Sequence, residues 1–152
     1  MAQADQAVRL SGDSDPEADD VRQKRVLSLL AEGKIQDAEA KECAALILQH
    51  SGLTFCEGAL KAISVDNFLL AHLLAKGAVE QGRDSARWLA AASLDRYLVF
   101  SGKPQKYGTQ TVLDPKSNKM VVPPIDPVTT DEERARWHVE PLAIFLKRTS
   151  AP

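Results

Sequence analysis

The chain contains few cysteines, and no apolar run in it is long. Its 152 residues include two cysteines, Cys43 and Cys56, and neither lies in a CxxC or Cys/His pattern. Zinc ribbons and thioredoxin-like redox chemistry are therefore unsupported, and two buried thiols are favoured over a disulfide. The N-terminal segment has no apolar h-region, and no apolar run approaches the ~20 residues of a membrane span. For the chain as it stands, the sequence predicts a soluble, cytoplasmic protein.

An excess of positive charge is also missing. The chain has 19 Lys and Arg against 21 Asp and Glu, a formal charge of -2 and a pI of about 5.9. Nucleic-acid backbones and anionic membranes both select for clustered Lys and Arg, so we expect neither as a partner. The motifs GxSxG, GxxxxGK[ST] and GxGxxG do not occur, and no histidine has HxxxH or HxxE spacing. The sequence therefore predicts no cofactor, no metal and no nucleotide-dependent chemistry.

Aromatic residues make up 5% of the chain, whereas alanine is abundant, which favours close packing of helices. Cap residues and apolar periodicity predict helices over residues 16 to 32 and 35 to 50. A third helix should begin at Ser64 or Asp66 and stop at Gly82, and a fourth should end at Gly102. Short joints imply antiparallel hairpins, so the predicted fold is mainly α, a compact antiparallel helical bundle.

The last third of the chain changes its pattern. The segments "TQTVL" and "KMVVP" alternate around the turn "DPKSN" and predict a two-stranded β-ribbon. Earlier in the chain, between the second and third helices, "FCEGALKAI" is interpreted as a short apolar connection. Thr130 should cap a final helix that is broken near Pro141. The predicted single domain, 1–152, has an N-terminal arm over 1–15, the bundle over 16–101, a polar loop and ribbon over 102–128, and a C-terminal helix and tail over 129–152.

Three polar residues interrupt apolar helical stripes, where an unpaired polar group costs about 1–3 kcal/mol. His50 closes the stripe of the second helix, His72 lies on that of the third, and Asp95 on that of the fourth. They are the candidate catalytic residues, with His50 or His72 as base and Asp95 as its orienter. The alternatives are satisfied core histidines, and a structural carboxylate that pairs with Arg96 or holds an orphan backbone N–H.

The polar segment "GKPQKYGTQ", residues 102 to 110, follows the fourth helix. Pro104 and Gly108 are expected to turn it back over the bundle, so that its side chains face the charges of "LDR"; an exposed surface loop is the alternative. Arginine and amide side chains could hold an anion or a carbonyl, and Tyr107 could donate a proton or stack. The candidate ligand-binding residues are Gln49, Arg96, Gln105, Tyr107, Thr109 and Gln110.

The polar pieces resemble the pattern of an uncharacterised bacterial helical domain family of unknown function. This resemblance implies a mainly helical fold and a shared polar site, and it implies no reaction. One departure is the link "SGLTFCEGALKAISVDN", which is longer than the family pattern leads us to expect. The matching pieces are Asp5-Gln6 with Arg9, Gln49-His50, Ala71-His72 with Leu74-Ala75, Leu94 to Leu98, Gly102 to Gln105, Tyr107 to Gln110, and Asp131 with Arg134.

Two hypotheses of function follow from these residues. In the first, one internal polar pocket binds a small polar ligand, and its enzymatic form is a nucleotide-independent acid–base enzyme, a hydrolase or lyase. In the second, the chain is a non-catalytic protein-interaction module of helical-hairpin type, similar to TPR or Sel1 repeats. The same polar residues would then form a buried network that fixes the helix register, and a protein would be the partner.

Overall fold

The mainly helical prediction is confirmed by a computed structural model of the protein. The structure describes residues 2–3, 16–51, 53–56, 59–62, 64–114 and 116–149. Asp5, Gln6 and Arg9, the N-terminal pieces of the family pattern, lie outside these residues. The long helices of the described part are α1 Pro16–Ala31, α2 Ala38–His50, α3 Asp66–Glu80 and α4 Ala86–Phe100; the short ones are α5 Asp131–Arg136 and α6 Leu142–Thr149; the strands are β1 Leu53–Cys56, β2 Ala59–Ala62, β3 Val112–Asp114 and β4 Lys119–Val121.

Local cap chemistry explains where two of the helices begin. The Asp37 side chain accepts a hydrogen bond of 2.8 Å from the backbone N–H of Ala40, so α2 begins slightly later than predicted. The predicted cap of α5 is confirmed, because the Thr130 hydroxyl oxygen accepts from the backbone N–H of Glu133. The predicted cap of α3 at Ser64 or Asp66 is wrong, since Val65 occupies that position without a side-chain cap.

The core lies where α2, α3 and α4 pack against one another. Ala45, Ala75 and Ala90 are fully buried there, and their small side chains let the helix backbones approach closely. α1 adds Val26 to this core, whereas Val21 of the same helix is 65% exposed. Among the described residues, no helix combines the length and apolarity needed to cross a membrane.

Two antiparallel ribbons accompany the helices. The predicted ribbon is confirmed, with Val112 of β3 opposite Val121 of β4. The other ribbon was missed, since the segment interpreted as an apolar connection forms β1 and β2, with Leu53 opposite Ala62. Strands of four residues are too short for a distinct alternating pattern, so periodicity alone could not separate them from a link. β2 contacts β3, so that the two ribbons meet.

Candidate functional site

The polar loop after α4 is held by Asp95, whose side chain is fully buried. One carboxylate oxygen accepts the backbone N–H groups of Lys106 at 2.6 Å and Tyr107 at 2.9 Å. The other accepts the backbone N–H of Thr109 at 3.0 Å and its hydroxyl at 2.8 Å. Because all four donors point at the carboxyl group, this geometry belongs to its ionised form. Burial raises the pKa of Asp95, and the four hydrogen bonds act in the opposite direction.

The two ends of the loop are joined by hydrogen bonds between the Gln105 side chain and the Gln110 backbone. Gln105 is fully buried; its side-chain oxygen accepts from the backbone N–H of Gln110 at 2.9 Å, and its amide donates to the backbone oxygen of Gln110 at 3.2 Å. The backbone of Gln105 forms a parallel bridge with Ile125, which ties the loop to the segment after β4. Gly108 has φ of 75° and lies against Ile125, where a Cβ would be 3.1 Å from the terminal methyl. The chain therefore turns back over the bundle, but Asp95 meets backbone N–H groups and the Thr109 hydroxyl rather than the side chains of Gln105, Tyr107 and Gln110.

Arg96 connects this loop to the end of α2. Its Nε donates to the side-chain oxygen of Gln110 at 3.1 Å, and its Nη1 donates to the backbone oxygen of Gln49 at 2.7 Å. The guanidinium also lies over the ring of Phe68, 5.8 Å from its centroid. Gln49 itself is buried, and its side-chain oxygen accepts from the Ser93 hydroxyl at 2.5 Å. Because the Gln110 side-chain amide also donates to the Thr109 hydroxyl at 3.0 Å, one hydrogen-bonded network links Gln49, Ser93, Asp95, Arg96, Gln105, Thr109 and Gln110.

The network borders an open cleft of about 460 Å³ between α2 and α4. Its apolar wall includes Trp88, whose side chain remains 47% exposed although it belongs to a helix of the core. At the rim, Glu42 is paired with Arg83, at 2.6 Å between Oε2 and Nε. The cleft is lined by the apolar residues Leu46, Trp88 and Leu89, by the thiol of Cys43, and by the polar residues Glu42, Gln49, His50, Ser85 and Arg96.

The two candidate histidines have different surroundings. His50 lines the cleft, as does Gln49 beside it. His72 is half-buried, and its Nδ1 lies 2.8 Å from the backbone oxygen of Ala90, which joins α3 to α4. Nδ1 must carry the proton to donate to this oxygen. Burial lowers the pKa of His72, so the neutral imidazole is favoured, although the hydrogen bond to Ala90 raises it.

Tyr107 belongs to the loop, but its side chain faces the C-terminal helices. The ring is buried and lies 6.3 Å from the ring of Trp137, and Lys106 Nζ is 5.5 Å from the Tyr107 centroid. Burial raises the pKa of the Tyr107 phenol. The backbone oxygen of Tyr107 accepts from Arg134 Nε at 2.9 Å, so this residue anchors the loop to α5.

The structure therefore brings six of the candidates into one network and places the others around it. Gln49 and Arg96 belong both to the network and to the lining of the cleft, His50 lines the cleft, and His72 joins two helices. Asp95 does not hydrogen-bond a histidine in the described part of the chain, and its partners are those of the structural alternative. In that same part, no three His, Cys, Asp or Glu side chains form a group that could hold a metal ion.

Three residues with clear roles were not among the predicted site residues. Ser93 fixes the Gln49 side chain, and Trp88 forms a wall of the cleft. Arg134 is buried; its Nη1 donates to the backbone oxygen of Thr129 at 2.8 Å, and its Nη2 has no hydrogen-bond partner among the described residues. Arg134 belongs to the Asp131 and Arg134 piece of the family pattern, although the sequence did not indicate its role. For Trp88 and Ser93 no local pattern in the sequence indicates these roles.

No protein-family model, no curated protein and no solved structure matches the chain. A function for this chain is therefore inferred from its own side chains.

Proposed function

We propose that the protein binds a small molecule with an apolar body and a polar end in the cleft between α2 and α4. The observation that carries this proposal is the exposed Trp88, which faces a cleft that also presents Arg96 and Gln49. A volume of about 460 Å³ lies within the range of about 300–1,000 Å³ typical of small-ligand pockets. The indole offers a flat apolar surface, and the polar residues at the other side orient the ligand.

In this proposal the predicted site residues have two roles, since some line the cleft and others hold the loop, whereas the sequence predicted one internal pocket lined by all of them. His50 is the imidazole among the residues that line the cleft, so the hydrolase or lyase form of the proposal assigns the proton transfer to His50. The loop that contacts Arg96 is held in place by hydrogen bonds of Asp95, Gln105, Thr109 and Gln110, so these residues position Arg96 without lining the cleft. The proposal keeps a cytoplasmic location and a ligand other than nucleic acid or membrane, which the slight negative charge favours.

A second candidate function is the non-catalytic interaction module. The four hydrogen bonds accepted by Asp95 favour it, because they satisfy the carboxylate completely and leave it no role in chemistry. In this case the buried network would serve only to fix the fold, and the exposed Trp88 would contact a protein partner.

The two functions are distinguished by a small-molecule screen with two matched variants. Trp88→Ala removes the wall of the cleft, whereas Leu73→Ala removes an apolar side chain that is 55% exposed on α3 and does not line the cleft. Leu73→Ala should melt within about 2 °C of wild type, whereas Trp88→Ala loses a half-buried indole and should melt several degrees lower while remaining folded, so each shift is measured against the same variant without compound. Compounds that raise the Tm of wild type should also stabilise Leu73→Ala but not Trp88→Ala. Compounds that stabilise all three proteins equally, or a broad screen without a stabilising compound, would contradict the proposal.

A further inference from the structure

We infer that the ligand of the cleft is elongated, and that it extends past Trp88 into a second, smaller pocket, where it places an uncharged polar group beside His138. This inference rests on the proposed function and deepens it, because it names the shape and chemical class of the ligand and a residue that determines specificity. The observations behind it are the position of Trp88, the pairing of ionisable side chains around the second pocket, and the backbone conformation of His138.

The second pocket lies where α4 meets the polar loop and the C-terminal part of the chain. Its volume of about 150 Å³ is below the range of about 300–1,000 Å³ typical of pockets that hold a small ligand. Trp88 lines both this pocket and the cleft, and its side chain is 47% exposed, so one ligand can lie on the indole and reach both. The second pocket is therefore interpreted as an extension of the cleft. Besides Trp88, its lining includes Gly108, His138, Glu140, Phe145 and Arg148.

The ionisable side chains that line the second pocket already have partners. Arg148 is paired with Glu140, which lines the same pocket. His138 Nε2 lies 3.5 Å from Oδ2 of Asp84, and Oδ1 of Asp84 accepts from Nε of Arg87 at 2.6 Å. A charged ligand group would have to displace one of these partners or be desolvated without one, whereas a neutral group that both donates and accepts has no such cost. The ligand is therefore expected to place an amide or a hydroxyl here.

His138 has a backbone conformation that favours glycine, with φ of 55° just after the end of α5. The backbone N–H groups of His138 and Val139 donate to the backbone oxygens of Ala135 and Arg134, each at 3.0 Å, which is the pattern of a helix end where glycine is preferred. A histidine here lowers stability relative to glycine. The contact with Asp84 offsets little of this loss, because both side chains are at least half exposed and exposed ion pairs contribute little. The role of the imidazole is therefore assigned to the pocket that it lines.

The experiment compares three probes that share a phenyl ring and a four-carbon chain: 4-phenylbutanamide, 4-phenylbutanoate and 4-phenylbutylamine. Each is titrated into ¹⁵N-labelled protein, and the shifts of backbone amide signals give the Kd. Cys43 and Leu46 report on the cleft, whereas Gly108 and Val139 report on the second pocket. We expect the amide probe to move the signals of both, and to bind wild type about threefold or more tightly than either charged probe, since one neutral hydrogen bond is worth about that factor.

The variant His138→Gly tests the imidazole directly. Glycine adopts the positive φ of this position without strain, so the Tm should equal or exceed that of wild type. The amide probe should nevertheless bind about threefold or more weakly, and the signals of Gly108 and Val139 should move less. Asn118→Gly is the matched control, because Asn118 has φ of 52° at an exposed position outside both pockets. It should also keep or raise the Tm, and it should leave the binding of all three probes unchanged.

The outcomes separate this inference from the proposed function. If the probes move only the cleft signals of wild type, the cleft is a binding site but its extension past Trp88 is wrong. If a charged probe binds as tightly as the amide, the uncharged class is wrong. If His138→Gly binds the amide probe as wild type does, or melts several degrees lower, the imidazole serves the fold and does not select the ligand. If no probe moves a signal of either pocket in wild type, both the inference and the proposed function fail.

Discussion

The hydrogen bonds to Asp95 predict a specific loss of stability for Asp95→Asn. Asparagine keeps one oxygen, which can still accept the backbone N–H groups of Lys106 and Tyr107. Its NH₂ group then faces the backbone N–H of Thr109, so two donors meet. The Thr109 hydroxyl oxygen, which already accepts from the Gln110 side-chain amide at 3.0 Å, has a second lone pair for the new NH₂ group, and the backbone N–H of Thr109 is left without an acceptor.

The expected loss is about 2 kcal/mol, the typical cost of one buried unsatisfied donor. Removal of the charge contributes little beyond this. The neutral side chain forms weaker hydrogen bonds, but it also avoids the cost of burying a charge, which is the cost that raises the pKa of Asp95. For a chain of this length the change corresponds to a Tm lower by about 4–8 °C. Urea denaturation followed by circular dichroism gives the free energy of unfolding, and hydrogen exchange reports on the loop. Exchange of the Thr109 amide should accelerate more than that of Lys106.

Asp114→Asn is the matched control for this experiment. Asp114 accepts backbone N–H groups from Lys116 and Ser117 and the Ser117 hydroxyl, but all these bonds are exposed to solvent. Water replaces an exposed acceptor, so this variant should lose less than about 0.5 kcal/mol. Equal losses for the two variants, or unchanged exchange at Thr109 in Asp95→Asn, would refute the assignment of Asp95 as the anchor of the loop.

Two further predictions concern backbone geometry and pH. Gly108→Ala should lose about 2–3 kcal/mol of unfolding free energy, whereas Gly33→Ala should lose about 1 kcal/mol: both glycines have positive φ, but only Gly108 has a close neighbour, Ile125. Urea denaturation of both variants checks this, and equal losses would contradict the close approach at Gly108. For His72, burial lowers the folded-state pKa below the unfolded value, so the unfolded state binds more protons between those two values. Wild type should therefore lose stability as the pH falls below about 6.5, and His72→Gln should lose less over the same interval; parallel urea curves at pH 7.5 and 5.5 that show no difference would exclude this linkage.

The sequence predicted correctly those secondary-structure elements that depend on residues close together in the chain. The helices of the core follow apolar periodicity and cap chemistry, which act within a few residues, and Thr130 caps α5 as predicted. The cap of α3 and the ribbon of β1 and β2 were missed, because Val65 has no cap signature and four-residue strands have no distinct period. Asp95 was identified as costly in its setting, but the pattern could not say which donors satisfy it.

The amino-acid sequence by itself determined a mainly helical chain and a buried carboxylate that needs partners. Those features depend on backbone preferences and on the cost of burying charge, which neighbouring residues already set. Only the tertiary structure decided that the partners of Asp95 are backbone N–H groups and a hydroxyl of the loop, and that Gln49 lines a cleft beside Trp88. Each of these contacts joins elements far apart in the chain, so its geometry exists only once the helices and the loop have packed together.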